Sequence, residues 1–521
     1  MKPTDEEEVC DIISQLKSDS APGPDGICTT FVKYARYLLS QPLAYICNLS
    51  LATGCFPKAW KIASVIPIHK DGSKNQPGNY RPISLLNVFS KILEKVVNRR
   101  LTNYIELNNL LSPRQFGFRC NKATEHAVSL LTEQIAEGLD RGQKCMGVFL
   151  DLAKAFDTVS VKILTQKLEK IGIRGLPLKW FQSYLTDRYQ YTKVGPYQSD
   201  LLQITYGVPQ GSILGPTLFT IYINDIHDLS LNAEVICYAD DTAVLFKGKS
   251  WNDTLFNAES GMALICKWLE DNLLTLNCIK TKFICFHKTA SSNPDHIQNL
   301  TIHACDSSTL SCACKSISRS SEIKYLGVMI DENLNFKTHI HCLSKRVRKT
   351  SSILRKLRDV ASKDLLTAIY RTLCVSIIGY CISVWCSAAK TTLIQAERAN
   401  RSLLKIMFKK PFRHPTTALY KEANVLTVRQ LFVLKTCIIT HERLINTEIY
   451  KTLLKKRVFR IPLPTVNSYF ASRFGDSIRA RIYNAVVNSC DIKSCSVPAA
   501  KSVLTKWLLS LDYSSTEELV N

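Results

Sequence analysis

Apolar residues recur at three- and four-residue spacing between Ser84 and Tyr104 (Leu85, Val88, Phe89, Ile92, Val96 and Leu101 among them), which predicts a helix with a wide apolar face. The same period predicts helices over 123–139, 343–357 and 393–407. A different pattern holds at Lys144-Cys-Met-Gly-Val-Phe-Leu-Asp151, where an unbroken apolar run ends in an acid. It predicts a buried strand that delivers Asp151 at its end, then a turn into a helix carrying Asp157. Two β-prone runs flank Tyr238-Ala-Asp-Asp241 and predict a hairpin with two carboxylates at its tip. Between these acids, Tyr206-Gly-Val-Pro-Gln-Gly-Ser212 predicts a turn, with an apolar helix from about Ile213. Residues 372–389 carry no charge and predict a buried helix, because Ser, Thr, Gly and Tyr dilute the run too far for a membrane span. Beyond residue 414 the pattern is helical, with an end expected to fray from about Asp512.

Composition narrows the class. The chain has 521 residues, is 46% hydrophobic and carries a formal net charge of +23, which fits several globular domains and excludes a disordered chain. The positive excess is concentrated: residues 337–413 hold 17 Lys/Arg against 3 Asp/Glu. A basic helical segment suits phosphate contacts that are independent of base sequence and weakened by salt. The 20 cysteines are scattered, and the start, Met1-Lys-Pro-Thr-Asp-Glu-Glu-Glu, is charged and unlike a signal peptide. Reduced thiols in an intracellular protein are expected. Neither His303 with Cys305, Cys312 and Cys314, nor His339 with His341 and Cys342, has the spacing of a zinc site, and no zinc is expected there.

The chemistry lies in the acids. Adjacent Asp240 and Asp241 repel each other and are costly to desolvate, and a divalent cation offsets both effects. Carboxylates on a tight turn suit Mg²⁺, and Asp151 as a third ligand would complete a two-metal clamp for phosphoryl transfer. Asp157 is an alternative ligand. Taken singly, these acids also fit a helix cap or a solvated turn. Gly211 removes a side chain where backbone must come close to another group, and Gln210 beside it offers both a donor and an acceptor.

In order along the chain stand Ala21-Pro-Gly-Pro-Asp-Gly-Ile27, Val65-Ile-Pro-Ile-His-Lys-Asp-Gly72, Asn79-Tyr-Arg-Pro-Ile-Ser-Leu85, Gln115-Phe-Gly-Phe-Arg119, the three segments above, Leu276-Asn-Cys-Ile-Lys-Thr281 and Lys324-Tyr-Leu-Gly-Val328. From about Glu6 to Pro411 this series resembles the reverse transcriptase of jockey-like non-LTR (LINE-type) retrotransposons. The resemblance implies an α+β right-hand polymerase fold. Residues 1–50 would be an N-terminal extension, 51–330 fingers and a palm with a small antiparallel sheet, 331–413 a helical thumb and 414–521 a helical extension. It implies an RNA-directed DNA polymerase that extends a primer with dNTPs. Asp151, Asp240, Asp241 and the Leu152 carbonyl would hold two Mg²⁺ ions, with Mn²⁺ as a substitute. Phe156 would be the aromatic gate against a ribose 2′-hydroxyl. Lys70 and Arg81 would clamp the triphosphate, Gln210 and Gly211 would contact nucleotide and template, and Arg119 would lie near the template. Lys280, or its neighbour Lys282, would assist pyrophosphate departure.

Expected partners are an RNA template, a DNA primer or target DNA and dNTPs, with no membrane. Jockey-like elements also carry an endonuclease, for which the sequence leaves no room, so target nicking is expected from another chain. Nucleus and cytoplasm are the compartments the family implies. The alternative reading is an inactive or domesticated nucleic-acid-binding relic.

Overall fold

The computed structural model describes residues 1–302, 314–456 and 459–520; His303, Cys305 and Cys312 lie outside them. The fold is mixed α/β, with three sheets among the described residues. Its strands are β1 (Ile62–His69), β2 (Tyr80–Leu85), β3 (Lys144–Leu150), β4 (Arg188–Val194), β5 (Tyr197–Gln198), β6 (Leu202–Ile204), β7 (Ala233–Tyr238), β8 (Asp241–Gly248), β9 (Lys282–Phe286), β10 (Asn299–Ile302), β11 (Lys315–Arg319), β12 (Glu322–Tyr325) and β13 (Val328–Asp331). The central sheet runs β10-β11-β9-β3-β8-β7. β3 lies antiparallel between β8 and β9, so Asp151 emerges from the middle of the sheet.

Burial on both faces explains the unbroken apolar run of β3. Cys145 and Phe149 enter one core, and Met146, Val148 and Leu150 enter another on the opposite face, the alternation a strand imposes. The first core contains helix Thr124–Asp140 and the helices beyond residue 337. The second contains the N-terminal helices, Val88–Leu107 and Trp251–Asp271. The second sheet, β2-β1-β4 with β5 and β6 paired to β4, carries Lys70 just past β1 and Arg81 in β2 opposite Ile68.

Several local expectations are corrected. The helix expected from Ser84 begins at Val88, because Ser84 and Leu85 are taken into β2 opposite Val65 and Ser64. Asp157 lies in a turn ahead of helix Val161–Lys170 and not on a helix. The uncharged run 372–389 is not one helix. A π-helical turn at Arg371–Val375 leads into Ser376–Gly379, Cys381 turns left-handed at φ 49°, and Ile382–Trp385 follows. The helix expected over 343–357 is two, Lys337–Lys349 and Ser351–Leu357.

The end expected to fray is tied in as far as residue 520. Asp512 caps helix Tyr513–Glu518 through the Ser515 amide, and Glu517 pairs with buried Arg429 at 2.9 Å. Among the described residues no single helix is long and apolar enough to cross a membrane. The pair Thr416–Ala423 and Val428–Leu444, which together would satisfy the length, is bent by 54°.

Candidate active site

The β7–β8 hairpin has a two-residue turn, Ala239 and Asp240, between the paired residues Tyr238 and Asp241. Ala239 takes φ 56°, a left-handed conformation that tight hairpins need and non-glycine residues resist. The segment 114–118 holds it there. The Phe116 amide donates to the Cys237 carbonyl (2.8 Å) and the Cys237 amide to that of Arg114 (3.1 Å). The buried Gln115 side chain accepts from the Gly117 amide (2.9 Å) and the Ala239 amide (3.4 Å). Gly117 abuts the Ala239 backbone so closely that a Cβ would collide with it.

The register of β3 on β8 ends at Leu150 opposite Thr242. One step further, Asp151 stands beside Asp241 and the Asp240 turn. Its amide donates to Thr281 Oγ1 (3.1 Å) and its carbonyl accepts from the Asn277 amide (2.9 Å), both on the β9 side. Leu152 bridges Leu276, flanked by the Ala153 amide to Thr275 carbonyl bond. In antiparallel pairing consecutive residues point their N–H and C=O to opposite sides. The Leu152 carbonyl therefore faces the side of the hairpin.

Charge on Asp151 acts on both Asp240 and Asp241. Burial pushes the Asp241 carboxyl up to about 6, with Asp240 and then Asp151 adding to the rise, although the residue keeps an open side to solvent. Asp240 is also raised, by burial first and by Asp151, while Lys70 and Arg81 oppose the rise. The cluster thus has too little positive charge for its acids. Its donors are all hard oxygens, which suits Mg²⁺ and not a thiolate- or imidazole-loving metal. Among the described residues no three His, Cys, Asp or Glu side chains already converge as ligands of one ion would. Mutual repulsion opposes closer approach of these three.

The other residues singled out above have partners of their own. Phe156 stacks on Phe219 (centroids 4.4 Å apart) and meets the edge of half-exposed Phe118 (6.4 Å). Gln210 donates from Nε2 to Asp157 Oδ1 (2.9 Å), and its carbonyl accepts from the Ser84 amide (2.7 Å). Gly211 lies at φ 126°, and a Cβ there would come 2.5 Å from the Ser84 carbonyl oxygen. This turn borders a cleft of about 280 Å³ lined by Lys154, Asp157, Tyr206 and Gln210.

Lys280 is exposed in the turn that holds Asp151, whereas Lys282 sits in β9 and donates to Ser318 (2.6 Å). Arg119 is not brought to the aspartates. Its guanidinium pairs with Glu106 (2.7 Å) and donates to the carbonyls of Ser112 and Gln115. Sequence reasoning missed Thr281, the supporting role of Gln115, and Glu94. The first two lay inside motifs already noted, while Glu94 is a lone acid in a helix and carried no signal.

A family model described as "Reverse transcriptase (RNA-dependent DNA polymerase)" matches residues 68–330. The chain is 29% identical over 447 residues to the "Probable RNA-directed DNA polymerase from transposon BS" of Drosophila melanogaster, covering 82% of this chain and 47% of the relative. It is 30% identical over 398 residues to the "RNA-directed DNA polymerase from mobile element jockey" of the same species, covering 74% and 42%. It is 27% identical over 391 residues to the Pol polyprotein of type-1 retrotransposable element R1 of Bradysia coprophila, covering 73% and 37%. The chain thus spans less than half the length of these curated relatives.

Proposed function

From the premise that this chain belongs to the reverse transcriptase (RNA-dependent DNA polymerase) family, we propose that it is the RNA-directed DNA polymerase of a jockey-like non-LTR retrotransposon. The observation that carries this reading is the meeting of Asp151, Asp240 and Asp241 at one end of the central sheet, with Lys70 and Arg81 near enough to act on Asp240. In the right-hand description, residues 51–330 are fingers and palm, 331–413 a basic thumb, 1–50 an N-terminal extension and 414–521 a helical buttress.

Asp151, Asp240, Asp241 and the Leu152 carbonyl would hold two Mg²⁺ ions (Mn²⁺ as substitute), which when bound activate the primer 3′-hydroxyl and offset pyrophosphate charge. The chain's own side chains do the rest. Arg81 grips the triphosphate with its planar fork, Lys70 adds a mobile point charge, and Lys280 assists the departing pyrophosphate. Phe156 is wedged against Phe219, so its ring cannot yield to a ribose 2′-hydroxyl and dNTPs are favoured. Gln210, its amide held by Asp157, contacts nucleotide and template beside the bare Gly211 backbone.

Helices Lys337–Lys349 and Lys390–Met407 border a cationic groove with Arg348, Arg398, Arg401 and Lys405, which suits duplex phosphates. Arg119 acts on the template side only indirectly, by bracing the 115–118 segment. The template is RNA and the primer DNA. Target nicking falls to an endonuclease on another chain or in a longer form of this one, and the working compartments are cytoplasm and nucleus.

Primer extension on poly(rA)/oligo(dT) with Mg²⁺ tests the reading, wild type against Asp240→Ala. Template-dependent dTTP incorporation that disappears in the variant supports it. RNA binding with no incorporation by either protein would overturn it in favour of an inactive relic.

A further inference from the structure

Helix Val88–Leu107 buries a carboxylate that the mechanism above does not use. Glu94 is fully shielded from solvent. Its Oε2 accepts from the backbone amides of Ile213 (2.7 Å) and Leu214 (3.3 Å), and its Oε1 from Ser90 Oγ (2.9 Å). Those two amides lead into helix Gly215–Ile223, and only Ser212 separates them from Gln210 and Gly211. Unmatched amides at a helix start favour an acceptor, and an acidic one most.

The same turn is tied elsewhere. The Ser84 amide donates to the Gln210 carbonyl, Asp157 accepts from the Gln210 side chain, and Thr217 donates to Asn98 one turn beyond Glu94 (2.8 Å). Ser84 and Asp157 belong to segments that border the open cleft. Glu94 grips the turn from the protein interior, on its backbone amides. It joins the long helix to the start of helix Gly215–Ile223 just past the Gln210 turn.

We propose that Glu94 is a positioning residue that acts through Gln210 and sets nucleotide affinity and selection at the cleft. This rests on the reading of Gln210 as a nucleotide contact. A glutamine at position 94 can keep its oxygen on the Ile213 and Leu214 amides and turn its NH₂ toward Ser90 Oγ, so Glu94→Gln conserves the grip while Glu94→Ala abolishes it.

The test is steady-state dTTP incorporation by the full chain, in a double-mutant cycle of Glu94→Ala with Gln210→Ala, plus Glu94→Gln as rescue. The expected result is about a tenfold rise in dNTP KM for Glu94→Ala with kcat within about threefold, and more misincorporation. Glu94→Gln stays near wild type, and Glu94→Ala adds no further KM rise once Gln210 is Ala. A purely structural loss would lower the active fraction and hence kcat, leaving KM unmoved. Equal KM factors in both backgrounds, or a folded Glu94→Ala with wild-type KM, overturn the proposal. If Glu94→Ala does not fold, Glu94→Asp replaces it, one methylene short of the same amides.

Amide hydrogen exchange at Ile213 and Leu214 provides an arm independent of turnover. Should wild type incorporate nothing, the polymerase reading fails, and unchanged protection at those amides in Glu94→Ala then overturns the positioning role as well.

Discussion

Two regions of this molecule confine carboxylates, and they treat them in opposite ways. On helix Thr124–Asp140, Glu133 receives the buried guanidinium of Arg479 at 2.8 Å, and Arg479 also reaches Ser129 (2.9 Å) and Asp476 (2.8 Å). Every charge there has its partner, and the result is a clasp that fastens the C-terminal helices to the back of the central sheet. At the end of that sheet Asp151, Asp240 and Asp241 crowd one another, and Lys70 and Arg81 oppose the rise at Asp240 without forming a pair with it. Paired charges hold two elements together. Unpaired like charges cost stability, and a fold keeps them where something else is to be held. The contrast is sharper because helix Thr124–Asp140 and strands of the same sheet share one core.

Removing one member from each region should separate the two behaviours. Asp151→Asn, nearly isosteric, is expected to lower dNTP incorporation on the order of 10³-fold, roughly 4 kcal/mol of barrier, while leaving the melting temperature unchanged or slightly higher. A large drop in melting temperature would mean that Asp151 serves the fold. Arg479→Ala is the reverse case. Loss of the guanidinium strands Glu133, whose side chain is still 24% exposed, so the cost falls near the low end for a broken buried pair, about 3 kcal/mol. Chemical denaturation should show that loss, while kcat per folded molecule stays within about twofold. A selective loss of kcat with intact stability would erase the distinction between the regions.

The sheet end was the more legible of the two in the sequence, and the reason is physical. A strand buried on both faces must be apolar throughout, so an acid at its end stands out, as Asp151 does after Val148-Phe-Leu150. A hairpin tip flanked by β-prone runs is equally visible. Partners that meet only in three dimensions are not. Glu94 looks like one more charge in a helix until Ile213, more than a hundred residues away, is set against it. Arg479 and Glu133 are separated by 346 positions.

Local rules also lost to tertiary demands at particular places. The apolar period at Ser84 was helical, but pairing with Val65 drew Ser84 and Leu85 into a strand. The uncharged run after residue 371 was long enough for one helix, yet Tyr380 breaks it. Its hydroxyl donates to the Leu326 carbonyl (2.7 Å) and its carbonyl accepts from Trp385 Nε1 (3.0 Å). The Asp151, Asp240 and Asp241 positions needed only local pattern, whereas their geometry needed Gln115 and Thr281, whose hydrogen bonds no spacing rule announces.

The smallest expected effect tests the comparison at its root, the uncompensated charge on Asp241. Its carboxyl titrates at about 6 in the folded chain, against 3.8 ordinarily, with burial the first cause and Asp240 and Asp151 behind it. Between those two values the folded state binds a proton that the unfolded state has released. The contribution of this group to stability is therefore greatest below pH 4, falls as the pH rises to about 6, and is flat beyond. This is opposite in sign to Glu8, which the Arg100 guanidinium holds at about 2 and which loses its stabilising effect as the pH falls. Because Asp241 keeps an open side to solvent, the effect is modest and screened by salt. Asp241→Asn isolates it: in thermal melts at low salt the variant should match wild type near pH 4, exceed it increasingly up to about pH 6, and keep that margin at pH 7. Mg²⁺ at pH 7 should then narrow the gap by raising the wild-type melting temperature more than the variant's, since a cation that binds the folded site stabilises it by mass action. A gap that is independent of pH, or equal Mg²⁺ shifts in both proteins, would mean that Asp241 is as well compensated as Glu133, and the sheet end would then be a second clasp.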